Sequence, residues 1–222
     1  MFKYMQQMGK FLMILAAVLP VIISSCMSFQ KNDLPVHSPE QALQKLKRGN
    51  EIYINNRRNN ADISKRLRHD TANNGQKPYA VIVTCSDSRV PPEHIFTAGI
   101  GDLFVIRTAG NTVDNIVLGS IEYGVKHLGA KIIVIMGHDH CGAVSAAIEG
   151  HTEGHITDVV EEIQSGIEGA VDASEAERFN IAHSYRKSRE SLIIRELIEA
   201  DEITVVQAKY DMYTGKADFF SN

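Results

Sequence analysis

The 222-residue sequence lacks an excess of positive charge, because 23 Lys and Arg residues stand against 27 Asp and Glu residues and leave a net charge of −4. Nucleic-acid-binding proteins normally carry a basic surface, so the composition argues against a nucleic-acid partner. The sequence also lacks fixed-period repeats, collagen-like runs and low-complexity blocks. With 44% hydrophobic and 23% charged residues, it has the composition of a globular protein of one ordinary domain.

An apolar run long enough to span a bilayer comfortably is also missing. The run Phe11–Ile23 has 13 residues and contains Pro20, whereas a transmembrane helix needs about 20 residues. Lys3 and Lys10 give the segment a positive start. A positive start followed by a short apolar run is the pattern of an export signal.

The apolar run ends in the sequence ISSC, which closes on Cys26 and resembles the lipobox of bacterial lipoproteins. We therefore predict a lipoprotein signal peptide over 1–25, lipidation of Cys26, and a polar tether over 26–37. The protein would then be exported and anchored by lipid to a bacterial cell membrane, on its periplasmic or cell-surface side. A plain cleaved signal peptide and a short uncleaved anchor are the alternatives.

Only three cysteines occur, so each one restricts the chemistry. If Cys26 carries lipid, Cys85 and Cys141 remain. In an exported protein, two remaining cysteines first suggest a disulfide, because the compartment is oxidising. The sequence around the two cysteines has to decide between a disulfide and another role.

Strands alternate with helices along the chain, which predicts an α/β fold with a mainly parallel sheet flanked by helices. Ser38-Pro39 begins an N-terminal helical arm with the pattern of a helix cap. No domain boundary is evident within 38–222. The predicted segments are strands at 79–85, 103–108 and 131–138, helices at 113–128, 142–150 and 179–200, a loop or short arm at 56–76, a solvated acidic helical excursion at 151–178, and a final strand and hairpin at 203–220.

Two motifs carry metal-binding residue types directly after predicted strands. VTCSDSRV contains Cys85, and GHDHCGA contains His138 and Cys141, three residues apart at a strand-to-helix junction. Two thiolates and one imidazole suit zinc, and three protein ligands without a fourth leave one position open, as in catalytic zinc sites. His140 is a rival for His138 as the nitrogen ligand.

The motifs CSDSR and GHDHCGA together resemble those of the β-class carbonic anhydrases. The resemblance continues through PPEHIF, GDLFVIRTAGN, SIEYGVKHLG and YDMYTGKADFF, and covers roughly residues 38–222. It implies a zinc enzyme with one Zn²⁺ per chain that interconverts CO₂ and bicarbonate. The spacing to the cysteine matches that family at His138 rather than at His140.

The resemblance also implies roles beside the metal. Asp87 would accept a hydrogen bond from the reacting water, and Arg89 would hold Asp87 away from the metal. Gln76 would hydrogen-bond the substrate, while Phe104 and Tyr123 would form an apolar wall that comes partly from a neighbouring subunit. A homodimer or a larger even assembly is therefore expected, although plain packing roles for these last three residues stay open.

Two other functions fit the same motifs. Hydrolases of carbonyl sulfide or carbon disulfide share the fold and the metal ligands. A catalytically silent zinc-binding surface lipoprotein is the alternative of a different class, and the Asp87–Arg89 pair argues against it. The complete absence of Trp weakens the case for a second, regulatory bicarbonate pocket, which one subgroup of the family builds with that residue.

Overall fold

The computed structural model describes residues 35–56 and 59–220, and all of them lie in one compact unit. The predicted signal peptide, Cys26 and most of the tether lie outside the described residues. Within these two ranges, no helix is both long enough and apolar enough to cross a membrane.

A five-stranded sheet in the order β2-β1-β3-β4-β5 forms the centre of the fold. The first four strands of that order run parallel, and β5 runs antiparallel to β4. The predicted α/β fold with a mainly parallel sheet is confirmed. The strands are β1 (Ala80–Cys85), β2 (Leu103–Thr108), β3 (Ile132–His138), β4 (Thr204–Tyr210) and β5 (Ala217–Phe220).

Helices connect the strands and cover both faces of the sheet. A 3₁₀ turn at Ala109–Asn111 follows β2, and a π-helical segment at Tyr123–His127 directly follows the α-helix that ends at Glu122. The α-helices are α1 (Pro39–Asn56), α2 (Lys65–Asn74), α3 (Pro92–Ile95), α4 (Asn115–Glu122), α5 (Gly142–Glu149), α6 (Ile156–Ile167), α7 (Ala173–Ser188) and α8 (Leu192–Glu199).

The sheet separates two apolar cores. On one face, Leu46 of α1 packs with Phe96 and Ile82 of β1. On the other face, Ile181 of α7 packs with Ile133 of β3 and with residues of α4 and α8. All five side chains are fully buried, and each such burial is worth about 1.5–3 kcal/mol. Because β1 and β3 are covered on both faces, they consist almost entirely of apolar residues.

The predicted start of the N-terminal helix is observed. Ser38 Oγ accepts a hydrogen bond from the Gln41 N–H at 3.3 Å, and Gln41 Oε1 accepts one from the His37 N–H at 2.7 Å. The first bond satisfies an N–H group that the first helical turn leaves without a partner, and the second ties the residue before the cap to that turn. Helix α1 therefore begins where its capping residues predict.

Three boundaries differ from the sequence prediction. Segment 56–76 contains the ten-residue helix α2, which has no buried residue and so lacks the apolar face that would have predicted it. The helix predicted over 113–128 is α-helical only to Glu122. The helix predicted over 179–200 is two helices: α7 ends at Ser188, and Ser191 caps α8 by accepting a bond from the Ile194 N–H at 3.2 Å.

The acidic segment 151–178 is less solvated than predicted. Val160 and Ile163 on one face of α6 are fully buried against a third apolar cluster. That cluster includes Cys85 and Cys141, so α6 covers the carboxyl ends of the strands. The apolar spacing in α6 is helical, and the acidic residues on its other face obscured that signal.

Candidate metal centre

The carboxyl ends of β1 and β3 bring the two predicted motifs together. The strands are parallel neighbours, with Thr84 opposite Met136, so Cys85 and His138 end at the same edge of the sheet. Cys141 follows three residues after His138 and is the residue that precedes α5. Sites at this edge are typical of parallel α/β sheets.

Cys85, His138 and Cys141 are buried, and each offers a ligand atom within 4.8 Å of the other two. Both cysteines are free thiols, with their sulfur atoms 4.0 Å apart. Two sulfurs bound to one tetrahedral zinc at about 2.3 Å each would lie about 3.8 Å apart. The geometry therefore favours metal ligation over the disulfide that the sequence left open.

The imidazole of His138 supplies a further test of the fit. Its Nδ1 lies 2.8 Å from the carbonyl oxygen of Asp139, which can only accept, so Nδ1 carries the proton. Its Nε2 is buried without a hydrogen-bond partner among the described residues. A buried nitrogen without a partner is costly, and a metal ion would satisfy it. His140, the rival ligand, is exposed and does not belong to the cluster.

Backbone amides already stabilise negative charge on Cys85. The N–H groups of Asp87 and Gly110 each point at its sulfur at 3.4 Å. Its hydrogen bond with Cys141, supported by these amides and opposed by burial, lowers the pKa of Cys85. The same bond, with burial, raises the pKa of Cys141.

Gly110 is required by this arrangement. Its φ of +65° lies in the left-handed region, and an added Cβ would meet Ile163 Cδ1 at 2.6 Å. A glycine here lets its N–H reach the sulfur of Cys85 while α6 packs closely above. Its carbonyl accepts a bond from Asn180 Nδ2 at 2.7 Å, which ties the turn to α7.

Asp87 and Arg89 form the predicted pair beside the ligands. Arg89 donates from Nε to Asp87 Oδ1 at 2.9 Å and from Nη2 to Asp87 Oδ2 at 2.7 Å. The backbone N–H of Arg89 adds a third bond to Oδ1 at 2.9 Å. These bonds hold the pKa of Asp87 far below its usual range. Asp87 Oδ2 lies 4.0 Å from His138 Nε2, so the fixed carboxylate faces the metal-binding atoms.

Arg107 also supports this loop, and the sequence analysis missed it. It donates from Nε to the Cys85 carbonyl at 3.1 Å and from Nη2 to the Asp87 carbonyl at 2.6 Å. A charged residue one position before the end of β2, beside the strand that carries Cys85, was the available signal. Arg107 therefore fixes the backbone that presents both a ligand and the carboxylate.

The three predicted substrate-pocket residues lie far from the metal ligands in the folded chain. Gln76 is exposed and precedes β1, while Phe104 pairs with Val81 near the start of that strand. The ring of Tyr123 packs 6.1 Å from that of Phe104. With about 3.3 Å per strand residue, Ala80 and Cys85 are about 17 Å apart. Within one chain, these residues therefore line the opposite end of the sheet from the metal ligands.

Comparison with known proteins identifies the family. A family model described as "Carbonic anhydrase" matches residues 80–217. Carbonic anhydrase 2 of Mycobacterium tuberculosis is 39% identical over 195 residues, which cover 83% of this chain and 94% of that protein. The chain belongs to the carbonic anhydrase family.

Solved structures place this carbonic anhydrase family member in the β class. A Coccomyxa β-carbonic anhydrase, solved with acetazolamide, superimposes with a TM-score of 0.63 at 25% identity, over 69% of this chain and 77% of that one. A tetrameric β-carbonic anhydrase from Sordaria macrospora has the same fold, with a TM-score of 0.61 at 24% identity over 70% and 91% of the two chains.

Proposed function

We propose that the protein catalyses the zinc-dependent, reversible hydration of CO₂ to bicarbonate and a proton. One observation carries this beyond family membership. Two buried sulfurs and an unpartnered imidazole nitrogen converge beside a carboxylate that an arginine holds in place. A purely structural zinc site would be closed by a fourth ligand and would not need the carboxylate.

Cys85, His138 and Cys141 would hold one Zn²⁺ per chain. When bound, zinc supplies a nucleophile near neutral pH by lowering the pKa of a water molecule in its open position. The protein keeps the ligand atoms ready for this role through the hydrogen bond from His138 Nδ1 to the Asp139 carbonyl and the amides that point at Cys85.

Asp87 would orient the reacting water. All three bonds from Arg89 favour its charged form, so the carboxylate can act only as a hydrogen-bond acceptor. By accepting a hydrogen bond from a water or hydroxide, Asp87 would turn a lone pair of that water or hydroxide oxygen toward CO₂. Arg89, as a positioning residue, restrains Asp87 by a bidentate contact and keeps it from becoming a fourth ligand.

The substrate pocket would be completed by a second copy of the chain. Gln76, Phe104 and Tyr123 are too far from the ligands of their own chain to touch the same substrate, which supports a pocket shared between subunits. Tyr123 is 47% exposed, which leaves apolar surface for a partner subunit to cover. We propose a homodimer or a larger even assembly, and the Sordaria relative is tetrameric.

The test is a stopped-flow assay of CO₂ hydration on the zinc-loaded chain, with the chelator-treated protein and Asp87→Asn as controls. The zinc-loaded protein should accelerate hydration, and both controls should be strongly impaired, although Asp87→Asn keeps its zinc. Hydrolysis of carbonyl sulfide and carbon disulfide should be measured in parallel. Zinc-loaded protein that hydrolyses either compound but hydrates CO₂ no faster than the chelated protein would contradict the proposal.

We also propose that the protein is exported and anchored to a bacterial membrane through a lipid on Cys26. The support is the signal-like sequence before that residue, and several acyl chains on Cys26 would form a stable anchor. Cys26→Ser should move the protein to the soluble fraction without changing its specific activity. Retention of an uncleaved Cys26→Ser product in the membrane would instead indicate a plain hydrophobic anchor.

A further inference from the structure

A buried lysine lies in β4, in contact with the 138–141 loop that carries two of the candidate metal ligands. Lys209 is the sixth residue of β4 and is 6% exposed, in a strand that is otherwise apolar except for Thr204 and Gln207. Lysine is almost never fully buried unless it is paired. In the parallel register it lies opposite Gly137, the residue before His138.

Each of the three N–H donors of the Lys209 ammonium has an acceptor at hydrogen-bond distance. Its Nζ lies 2.9 Å from Asp139 Oδ1, 2.8 Å from Glu177 Oε2 and 3.0 Å from Ser174 Oγ. Burial alone would lower the pKa of Lys209, but the bonds to Glu177 and Asp139 outweigh it and raise that pKa. The ammonium is therefore charged and its donors are fully used.

The two carboxylates that bond Lys209 connect it to two candidate metal ligands, Cys141 and His138. Glu177, on α7, uses its second oxygen Oε1 to accept the backbone N–H of Cys141 at 3.2 Å. Asp139 lies between the two ligands of the loop, and its carbonyl accepts the Nδ1 proton of His138. One side chain thus fixes the peptide of one ligand and the imidazole orientation of another.

The 138–141 loop needs restraint from side chains as well as from its backbone. The Asp139 N–H bonds the Tyr210 carbonyl at 3.1 Å, but His140 has a φ of +55°, which is uncommon for a residue other than glycine. A strained residue between two ligands persists only when its surroundings hold it. Glu177, itself only 6% exposed, can supply that restraint only while its charge is compensated.

We infer that Lys209 is a positioning residue that holds the 138–141 loop in metal-binding geometry through Asp139 and Glu177. This inference rests on the proposed zinc-dependent function and adds to it the residue that determines how firmly His138 and Cys141 hold the ion. Partners that orient metal ligands typically change metal affinity or activity by about 10- to 100-fold when they are removed.

The experiment compares Lys209→Met, Glu177→Gln and the double variant with the wild-type protein. Lys209→Met alone leaves the carboxylate of Glu177 buried and unpaired. The double variant removes that carboxylate, so it is expected to fold even if Lys209→Met does not. Lys187→Met is the matched control, because Lys187 also pairs with a carboxylate, Glu162, and among the described residues that pair joins α6 to α7 without a bond to the 138–141 loop. Two properties are measured: the rate of Zn²⁺ release to a chromophoric chelator, and the visible spectrum of the Co²⁺-loaded protein.

We expect Lys209→Met and the double variant to release Zn²⁺ about 10- to 100-fold faster than wild type and to shift the Co²⁺ bands. Because both residues act on the same loop, Glu177→Gln should add little in the Lys209→Met background. Lys187→Met should match wild type in both readouts even if its melting temperature falls.

A wild-type release rate and Co²⁺ spectrum in the folded Lys209 variants would overturn the inference, whatever their melting temperature. If only the double variant folds, its two readouts decide in the same way. Wild-type protein that takes up no Zn²⁺ would refute the proposed function and this inference together, whereas tight wild-type binding with indifferent variants would refute the inference alone.

Discussion

The two ends of the parallel sheet differ in what they present. At the carboxyl ends of β1 and β3, buried polar groups converge: Cys85, His138 and Cys141, with the Asp87–Arg89 pair beside them. At the amino ends, an exposed amide and an apolar aromatic pair are found instead, formed by Gln76 and by Phe104 with Tyr123.

The difference shows how the two ends are stabilised. The carboxyl end is supported from within the chain, by charged residues such as Arg107, Glu177 and Lys209 that hold its loops. Among the described residues, the amino end presents half-exposed aromatic surface, which gains from contact with another apolar surface. The carboxyl end therefore brings all three candidate metal ligands together within one chain, whereas we propose that the amino end contributes substrate contacts only in an assembly with a second chain.

Removing a ligand at the carboxyl end should have the largest effect. Cys85→Ser replaces a thiolate with a neutral hydroxyl, so zinc affinity should fall by more than the roughly 100-fold that loss of an outer partner costs. Activity should be lost with the metal, as measured by zinc content and CO₂ hydration. Tyr123→Ala, at the amino end, is the matched control and should keep one zinc per chain. Equal zinc loss in both variants would contradict the separation of the two ends.

Arg89→Ala should separate catalysis from metal binding at the carboxyl end. A merely structural ion pair at an exposed arginine would contribute little to stability, and its loss would leave the rate of CO₂ hydration nearly unchanged. If Arg89 positions Asp87 to orient the reacting water, CO₂ hydration should fall by about 100-fold or more while zinc content stays near one per chain. Near-wild-type activity in Arg89→Ala would refute its role beside the metal.

Gln76→Ala should produce a smaller loss, because one hydrogen bond to the substrate is worth about 1 kcal/mol, or roughly fivefold in rate. If the amino end of one chain completes the site of another, subunits of Gln76→Ala and Arg89→Ala should complement each other. Proteins refolded as a mixture should exceed the average activity of the two variants refolded separately. If verified hybrid oligomers show no such gain in activity, then either Gln76 and Arg89 of one chain act in the same site or Gln76 does not contribute to a site.

The smallest effect concerns the helices above the carboxyl end. Glu162 of α6 bonds Lys187 at 2.9 Å and His183 at 3.0 Å on α7. Burial would raise the pKa of Glu162, but these bonds prevail and lower it below its ordinary value of 4.5. Its charged form therefore stabilises the fold above about pH 4.5, and that contribution is lost as the pH falls through the lowered pKa.

Glu162→Gln should consequently be less stable than wild type near neutral pH, by about 1 kcal/mol at most. The difference in free energy of unfolding should shrink as the pH is lowered below 4.5. Urea denaturation at several pH values measures both. A difference that grows toward acid pH would mean that the carboxylate does not stabilise the α6–α7 contact.

Several parts of this protein were predictable from local sequence. The buried strands β1 and β3 follow from their β-branched runs, and the start of α1 follows from Ser38 and Gln41, since these signals act within a few residues. The acidic residues of α6 concealed its helical apolar period, so the burial of Val160 and Ile163 was not predicted. Helix α2 was not predictable, because it has no buried side.

The sequence by itself determined the ligand types, their spacing and the Asp87–Arg89 pair, because each lies within one short motif. Only the tertiary structure decided which distant residues support them. Glu177 meets Cys141 across 36 positions and Asn180 meets Gly110 across 70, separations at which no local pattern operates. It also decided that Gln76, nine positions before Cys85, lies at the far end of the sheet, because an extended strand carries the chain about 3.3 Å further with every residue.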